Sequence, residues 1–486
     1  YIQHNFIEIV NFIYFGGIFM EQTVANKPKY PLGFWVCSLT YSFERFAFYG
    51  SKPLLVLFLI TAVNQGGLGI SAAKGAIIAA NFTAITYIAP VVGGWVCDRF
   101  LGARYAVSLG CLLMGLGYLF GWKANSIVAI YAMIIVVSIG SGLFKGNLSG
   151  IIGRLFEDQE LLDTAFSVQY SFVNIGAFFG SLITGYLYLN TFKSGEVLGF
   201  RPVFLVCAAF VIIGGIFFTL MWGTLQGQGK KPFKYLTDVN GNIIGESENE
   251  TDEELKREAV RPLTKIERNR VVAIVFVSFV SIIFWLFYYQ QEIALTIYMT
   301  KFVNMTVGGV EIAPQHVTTT WNGLLCIFLS LAAAKLWASL AKRPQGDLSM
   351  FHKVGLSFLF LGISYVVLMA MEMTRGIGAP ETIKASVIWL FVFGTFLTIG
   401  EICFSPLGNS FVSKWAPKKY LSLLLGVWLF ASFAASIING YLQIFVEKLG
   451  IYSIFVTFAV VSFAVAILLF LMTKKLTALL SEDEEA

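Results

Sequence analysis

Twelve apolar runs, each about as long as a membrane is thick, recur along this chain. Nothing else in it constrains the fold as strongly. A helix needs about 20 mainly apolar residues to cross hydrocarbon. Runs of that kind lie near 32–62, 70–97, 104–122, 126–152, 163–190 and 201–223, then near 271–302, 317–340, 352–373, 384–412, 420–446 and 450–473. Six precede and six follow the only long polar stretch. Hydrophobic residues make up 57% of the 486 and charged residues only 13%, a balance no soluble domain of this length shows.

The remaining composition excludes several classes. The formal charge of +5 needs no nucleic acid, because basic loops on the cytoplasmic side of a membrane protein produce it. The 46 phenylalanines suit lipid-facing and interfacial surfaces. Cys37, Cys97, Cys111, Cys207, Cys326 and Cys403 fall in or beside apolar runs without metal-ligand spacing, and read as packing residues. No nucleophile–base constellation stands out, and His4, His316 and His352 lie outside the charged span segments discussed below. The chain therefore reads as neither an enzyme nor a cofactor or metal carrier, and its surroundings are a lipid bilayer.

The organisation follows from these runs. We expect an all-α membrane protein with an N-terminal segment (1–30), a six-helix bundle (31–223), a cytoplasmic linker (224–270), a second six-helix bundle (271–473) and a cytoplasmic tail (474–486). Residues 1–19 lack the basic start and cleavage site of a signal peptide. With Met20 following them, they read as translated upstream sequence or a cloning scar. The linker mixes an acidic run with basic flanks, and reads as a solvated connection, partly disordered, with a short amphipathic helix near 252–259. Arg99, Arg104, Arg154, Lys342, Arg343, Lys353, Lys414, Lys418, Lys419, Lys474 and Lys475 fall on one side with the linker. By the positive-inside rule that side and both termini are cytoplasmic. Both halves then have the same orientation, as in a transporter of two parallel repeats.

Charges inside the spans point to function. A charge at the bilayer centre costs ~2.5–3.5 kcal/mol on insertion scales, and such residues face a bundle interior or a wet cavity. In the first span, Tyr41, Glu44, Arg45, Phe48 and Tyr49 share one helical face. The fourth holds Lys145 and Asn147 among small residues. The fifth has Tyr170 and Asn174 one turn apart, with Gly176 and Gly180 allowing close helix approach. The seventh carries Tyr288, Gln291 and Glu292, the eighth Trp321 and Asn322, the tenth Glu401 and Ser405 before Pro406, and the eleventh Trp428. Glu44, Arg45 and Lys145 sum to one positive charge, and Glu292 with Glu401 to two negative. The fourth and tenth spans are equivalent in the repeat, so Lys145 and Glu401 are expected to oppose each other. A cavity basic on one wall and acidic on the other suits a zwitterion. The alternative is that these charges only pair with one another as interhelical glue.

The segment "GGWVCDRFLGARYA" between the second and third spans is of another kind. Gly93, Gly94, Asp98, Arg99, Gly102 and Arg104 sit at the cytoplasmic end. Small residues there permit close approach, and an acid with cations nearby can latch one state of a rocking bundle. We read it as a gating element.

These motifs, taken in order, resemble the proton-coupled oligopeptide transporter family of the major facilitator superfamily. "ERFAFYG" (44–50) looks like its first-helix motif, "GGWVCDRFLGAR" its loop signature, and "FSVQYSFVNIGAFFGS" its fifth-helix signature. "FKGN", "FWLFYYQQ", "GEICFSPLG" and "VWLFAS" follow as further landmarks. The resemblance covers residues from about 29 to 471 and implies the major facilitator fold. It also implies that Arg45 and Lys145 hold a peptide carboxylate, that Asn174 and Asn322 bond peptide backbone, and that Glu401 takes the amino terminus. Tyr49 and Trp428 would shape the pocket, and Glu44 would pair with Arg45 or Lys145 and take part in coupling. Several positions depart from the family pattern. Tyr41 and Phe48 replace a glutamate and a tyrosine, Gly146 and Gly323 replace prolines, and Tyr288 and Tyr289 stand where an acid often lies. The linker is too polar to supply the two extra helices of many bacterial relatives. Glu292, one turn beyond Tyr289, is the candidate replacement acid, the other reading being that it sits at the helix's wet mouth.

The leading expectation is thus a monomeric inner (plasma) membrane symporter importing di- and tripeptides with protons as the coupling ion. Its rivals are a relative with altered substrate or weakened coupling, and a solute sensor on the same fold without net flux.

Overall fold

The computed structural model describes residues 30–480 apart from Glu157, Lys234, Val239, 247–260, Gln345, Pro406, Leu407, Lys418 and Lys419. The readings placed on 1–19, on 252–259, and on Pro406, Lys418 and Lys419 lie outside the described residues.

The chain is built from helices, as hydrocarbon demands: a backbone without water to bond must satisfy its own N–H and C=O groups. In the first half these are α1 (Leu32–Ile60), α2 (Ala72–Arg99), α3 (Ala103–Lys123), α4 (Ile127–Arg154), α5 (Gln159–Tyr186) and α6 (Phe200–Leu220). In the second they are α7 (Lys265–Tyr288), α8 (Ala294–Phe302), α9 (Trp321–Ala341), α10 (Met350–Arg375), α11 (Ile388–Phe404), α12 (Gly408–Trp415), α13 (Leu421–Leu449) and α14 (Ile451–Ala478). Ten described segments are long and apolar enough to cross a membrane. Helix α1, 29 residues long, carries Glu44, Arg45 and Lys52, and α11 has 17 residues. Local chemistry sets several ends. Thr264 and Glu267 form a reciprocal capping box at the start of α7. Gly450, at φ 77°, turns the chain from α13 straight into α14.

Contacts between glycine-bearing helices give their relative directions. Along α3, Gly110, Gly117 and Gly121 meet residues of α4 in descending order, so the two run antiparallel. Helix α5 runs parallel to α1: Gly176 abuts Ser42 and Arg45, Gly180 abuts Phe46, and Gly50 meets Thr184. A Cβ at Gly176 would lie 2.5 Å from the Ser42 carbonyl, so the expected close approach is real. In the second half, Gly355 and Gly362 seat Phe470 and Phe463, so α10 and α14 are antiparallel. The apolar core divides into one cluster centred on α1–α6 and another on α7–α14. The two halves meet through α2 against α13 and α5 against α9.

Two spans read as continuous each comprise two described helices. After α7 the chain tightens into a 3₁₀ turn, Tyr289–Glu292, before α8. Side chains take up the carbonyls around this break. Tyr365 donates to Phe287 O at 2.6 Å, Asn439 to Tyr289 O at 3.2 Å, and Thr296 to Gln291 O at 3.0 Å. In the second, α11 ends at Phe404 and α12 begins at Gly408, with Pro406 and Leu407 outside the described residues.

The linker departs from the solvated reading over its first third. Leu225 is buried, the Arg104 N–H donates to Gly229 O at 3.1 Å, and Arg154 donates to Tyr235 O at 2.9 Å and also to Phe233 O. Tyr235–Thr237 and Ile243–Glu246 pair as an antiparallel hairpin. At its turn Asp238 accepts the Asn240 and Asn242 N–H groups, and those backbone bonds, Asn242 first, hold its carboxyl below the usual range. The linker thus begins as a packed layer over the basic ends of α3 and α4.

Candidate functional site

The charged face of α1 is buried and almost fully paired. Glu44 and Arg45 form a two-pronged bond, with Nε and Nη2 each 2.5 Å from a carboxylate oxygen, at 1% and 6% exposure. Of the two partners expected for Glu44, the structure selects Arg45. The guanidinium lies 4.8 Å from the centre of the Phe48 ring and 5.4 and 5.6 Å from Tyr41 and Tyr49, so aromatic faces line the space that water would fill. Lys145 of α4 stands 5.0 Å from the Phe48 ring and 5.5 Å from Tyr87 of α2. Among the described residues no carboxylate lies within ion-pair distance of it.

Across the interface Glu401 of α11 is surrounded by neutral donors. It accepts from Tyr288 Oη at 2.8 Å, Asn322 Nδ2 at 2.6 Å and Cys326 Sγ at 3.9 Å, and Asn322 also donates to Thr398 Oγ1 at 3.0 Å. Tyr288, one of the two positions where the family resemblance leads one to expect an acid, thus supplies a donor to another acid. Aromatic rings link the two charges: Tyr87 stacks on Tyr289 at 6.4 Å, and Tyr289 touches Tyr288 edge-on at 5.9 Å. Trp428 joins through Phe404, which stacks on it at 6.0 Å and lies 5.8 Å from Trp285. Asn174 is half-buried on α5 and gives its amide to Tyr170 O, one turn back, at 3.0 Å. Asn147 is turned inward and likewise spends its donor within its own helix, on Leu143 O at 2.8 Å.

Glu292 departs from the reading that put it at a wet mouth. Its side chain is 12% exposed and bonds Lys52 of α1 at 2.6 Å, and that ammonium also sits 5.2 Å from the Tyr289 ring. Lys52 lies seven residues after Arg45 and three after Tyr49, so it extends the same helical face. Counting it corrects the charge balance. The first half carries Arg45, Lys52 and Lys145 against Glu44, a net +2, and the second Glu292 and Glu401, a net −2. Two pairs form, leaving Lys145 and Glu401.

Lys52–Glu292 belongs to a seam at the end opposite the basic loops. There Gln315 donates to Ser181 O at 2.8 Å and Thr184 Oγ1 at 2.9 Å, and Ser181 bonds Thr320 at 2.8 Å. His316 Nδ1 accepts the Ala313 N–H at 3.2 Å, which leaves Nε2–H to donate to Leu182 O at 3.1 Å. The backbone of Gly440 on α13 packs on Ala80 and Ile77 of α2. A second buried pair, Glu372–Arg375 at 2.6 Å, lies at the end of α10. It is bonded by Tyr298 and by the carbonyls of Ala379, Pro380 and Ile383, so it fixes a turn within one half.

At the basic end, Gly93 is pressed against Gly142, while Gly94 has open space around it. Gly102 packs on the carbonyls of Gly229 and Lys230. Arg99 covers Trp95 at 5.0 Å, and Arg104 is flanked by Tyr105 and Trp222, both 4.8 Å away. Among the described residues no cation is within ion-pair distance of Asp98, so the latch imagined there is not closed in this conformation.

A family model described as the POT family matches residues 104–455. The chain belongs to the POT family. Its curated relatives include a dipeptide and tripeptide permease A of Pectobacterium carotovorum, 24% identical over 94% of each chain, and a di-/tripeptide transporter of Lactococcus lactis, 24% identical over 95% of this chain and 98% of that one. An uncharacterized transporter of Bacillus subtilis, YclF, is 23% identical over 93% and 96%. Among solved structures, a peptide transporter POT in complex with sulfate superposes with a TM-score of 0.80 at 24% identity, covering 93% of this chain and 96% of that one. A POT family transporter in complex with 5-aminolevulinic acid gives 0.78 at 24% identity, covering 92% of this chain. These likenesses place the POT-family chain in the same fold, as a multi-pass membrane protein.

Proposed function

We propose that this protein imports di- and tripeptides together with protons by alternating access. The observation that carries the reading is the pair of charges left over at the centre once Glu44 has paired with Arg45 and Lys52 with Glu292. Lys145 is without a carboxylate among the described residues, and Glu401 is surrounded by neutral donors. A zwitterion would supply both counter-charges, its carboxylate to Lys145 beside Arg45 and its ammonium to Glu401. Tyr49, Asn174, Asn322 and Trp428 would line the span between. The names of the permease relatives support peptides as the zwitterion.

The proposed architecture is twelve spans in two bundles, 31–223 and 271–473, joined by the cytoplasmic linker, with both termini cytoplasmic in the plasma membrane. α7 with α8, and α11 with α12, each form one interrupted span. On this topology the seam through Lys52–Glu292 closes the outer end, and the open conformation faces the cytoplasm. Glu292 and Glu401 are the acids a proton can reach with consequence. Protonation of Glu292 removes its attraction for Lys52 and loosens the outer seam. A proton on Glu401 competes with a substrate ammonium for the same oxygen atoms. Glu44 enters the cycle only if its bond to Arg45 opens for substrate. The segment around Gly94, Asp98, Arg99, Gly102 and Arg104 is proposed to close the inner end. No cofactor other than the proton is invoked.

The test is binding of dialanine, its N-acetyl form and its amide to purified wild-type protein, K145Q and E401Q. The reading predicts that wild type loses affinity for both blocked peptides. E401Q should no longer distinguish the N-acetyl form from dialanine, and K145Q should no longer distinguish the amide. Equal affinity of all three ligands for wild type would refute it. A second reading, a relative with a different zwitterionic substrate, is favoured by Tyr41 and Tyr289 standing in place of acids, and predicts no dialanine binding.

A further inference from the structure

Outside the central site, one cavity combines shape, charge and position. It has a volume of about 610 Å³, within the roughly 300–1,000 Å³ typical of small-ligand sites, and opens at the basic end between the end of α9, the start of α10 and the end of α14. Arg343 and Lys474 line it from different segments, together with Leu340, Ser349, His352, Thr473 and Thr477. Its acid, Asp347, is neutralised by Lys353 at 2.5 Å. Neither Arg343 nor Lys474 has an ion-pair partner among the described residues. Below the cations the helices turn apolar. Leu336, 52% exposed, lies on the last turns of α9, two residues beyond whose end Arg343 stands, and Leu471, 77% exposed, lies three before Lys474 on α14.

We infer that this cavity binds the phosphate-bearing headgroup of an anionic membrane lipid. Arg343 and Lys474 hold the phosphate oxygens, and the acyl chains run down the exposed leucines of α9 and α14. Basic pockets between transmembrane helices at the cytoplasmic surface suit such headgroups electrostatically. A free phosphate would use the cations and gain nothing from the leucine stripe, which is why the lipid is the occupant chosen. Bound there, the lipid ties α9 to α10 and α14 at the end of the molecule that must move in any rocking cycle.

The experiment is native mass spectrometry of the full chain after equilibration with phosphatidylglycerol or phosphatidylcholine. Samples are wild type, the R343Q/K474Q double variant, and a K265Q/K414Q control with charges removed from the same end outside the cavity. Taking about 1 kcal/mol for each cation in direct contact with the headgroup, on the order of 5-fold apiece, the double variant should retain roughly 25-fold less phosphatidylglycerol. The control should retain it as wild type does, and phosphatidylcholine should bind weakly throughout. Unchanged dialanine binding in the double variant excludes misfolding as the cause. Equal loss in the control would overturn the inference, since general surface charge would then suffice. Displacement of the lipid by inorganic phosphate alone would assign the site to a soluble anion. Retention only after removal of residues 481–486 would show that the acidic tail is the occupant.

Discussion

The two buried ion pairs of α1 differ in one respect that decides their roles. Glu44 and Arg45 are neighbours on one helix, so their bond moves with that helix and survives any rocking of one half against the other. Lys52 and Glu292 sit on opposite halves, so their bond cannot survive separation of the seam they span. The same class of interaction, a buried cation–carboxylate pair, thus gives a fixed element in one place and a switchable contact seven residues away. Buried pairs are costly to break by truncation, because the surviving charge is left in a low-dielectric site. A transporter can use that cost only at a contact it also reforms.

The largest expected effect follows from breaking the switchable pair. K52M leaves Glu292 buried and unmatched, a penalty of ~3–5 kcal/mol for the closed outer end. Labelling of an engineered outer-side cysteine should accelerate accordingly, and K52M/E292M should recover most of the closure. If the single and double variants label alike, the pair does not hold the seam. E292Q should abolish accumulation driven by a proton gradient while leaving exchange, and intact gradient-driven uptake would remove Glu292 from coupling.

A smaller effect is expected at Glu401. Y288F deletes one donor to a partly buried carboxylate, about 1.5–3 kcal/mol for a bond to a charged group. Its readout is the KM for dialanine, and a change confined to kcat would mean that Tyr288 serves the cycle and not the site. The smallest effect sharpens the comparison. Lys193–Glu311 also joins the two halves at the outer end, but at 3.6 Å and with side chains 34% and 57% exposed. K193A should cost at most ~1 kcal/mol and leave cysteine labelling nearly unchanged. A large change there would make proximity to the seam, and not burial, the controlling variable.

Much of this was legible in the sequence. Apolar run length located the helices because hydrocarbon thickness dictates it, and the small residues Gly176 and Gly180 gave the α1–α5 contact. Charges in apolar runs singled out Glu44, Arg45, Lys145 and Glu401, which the structure places among aromatic rings or paired polar groups and not on open surface. The break after Tyr288 was not legible, because its carbonyls are satisfied by Tyr365 and Asn439 from distant segments. Lys52 and Arg375 were missed for a related reason. Near a span's end a cation reads as snorkelling or as a loop residue, and only the partner helix shows that it is buried. The early linker looked polar in sequence, yet Arg104 and Arg154 draw its carbonyls onto the bundle.

The most direct test of the whole account is uptake of labelled dialanine by purified protein in liposomes, with and without an inward proton gradient. The account predicts accumulation above equilibrium with the gradient, simple equilibration without it, and loss of both in E401A. Binding of dialanine with no uptake under either condition would contradict transport and leave a solute sensor on this fold.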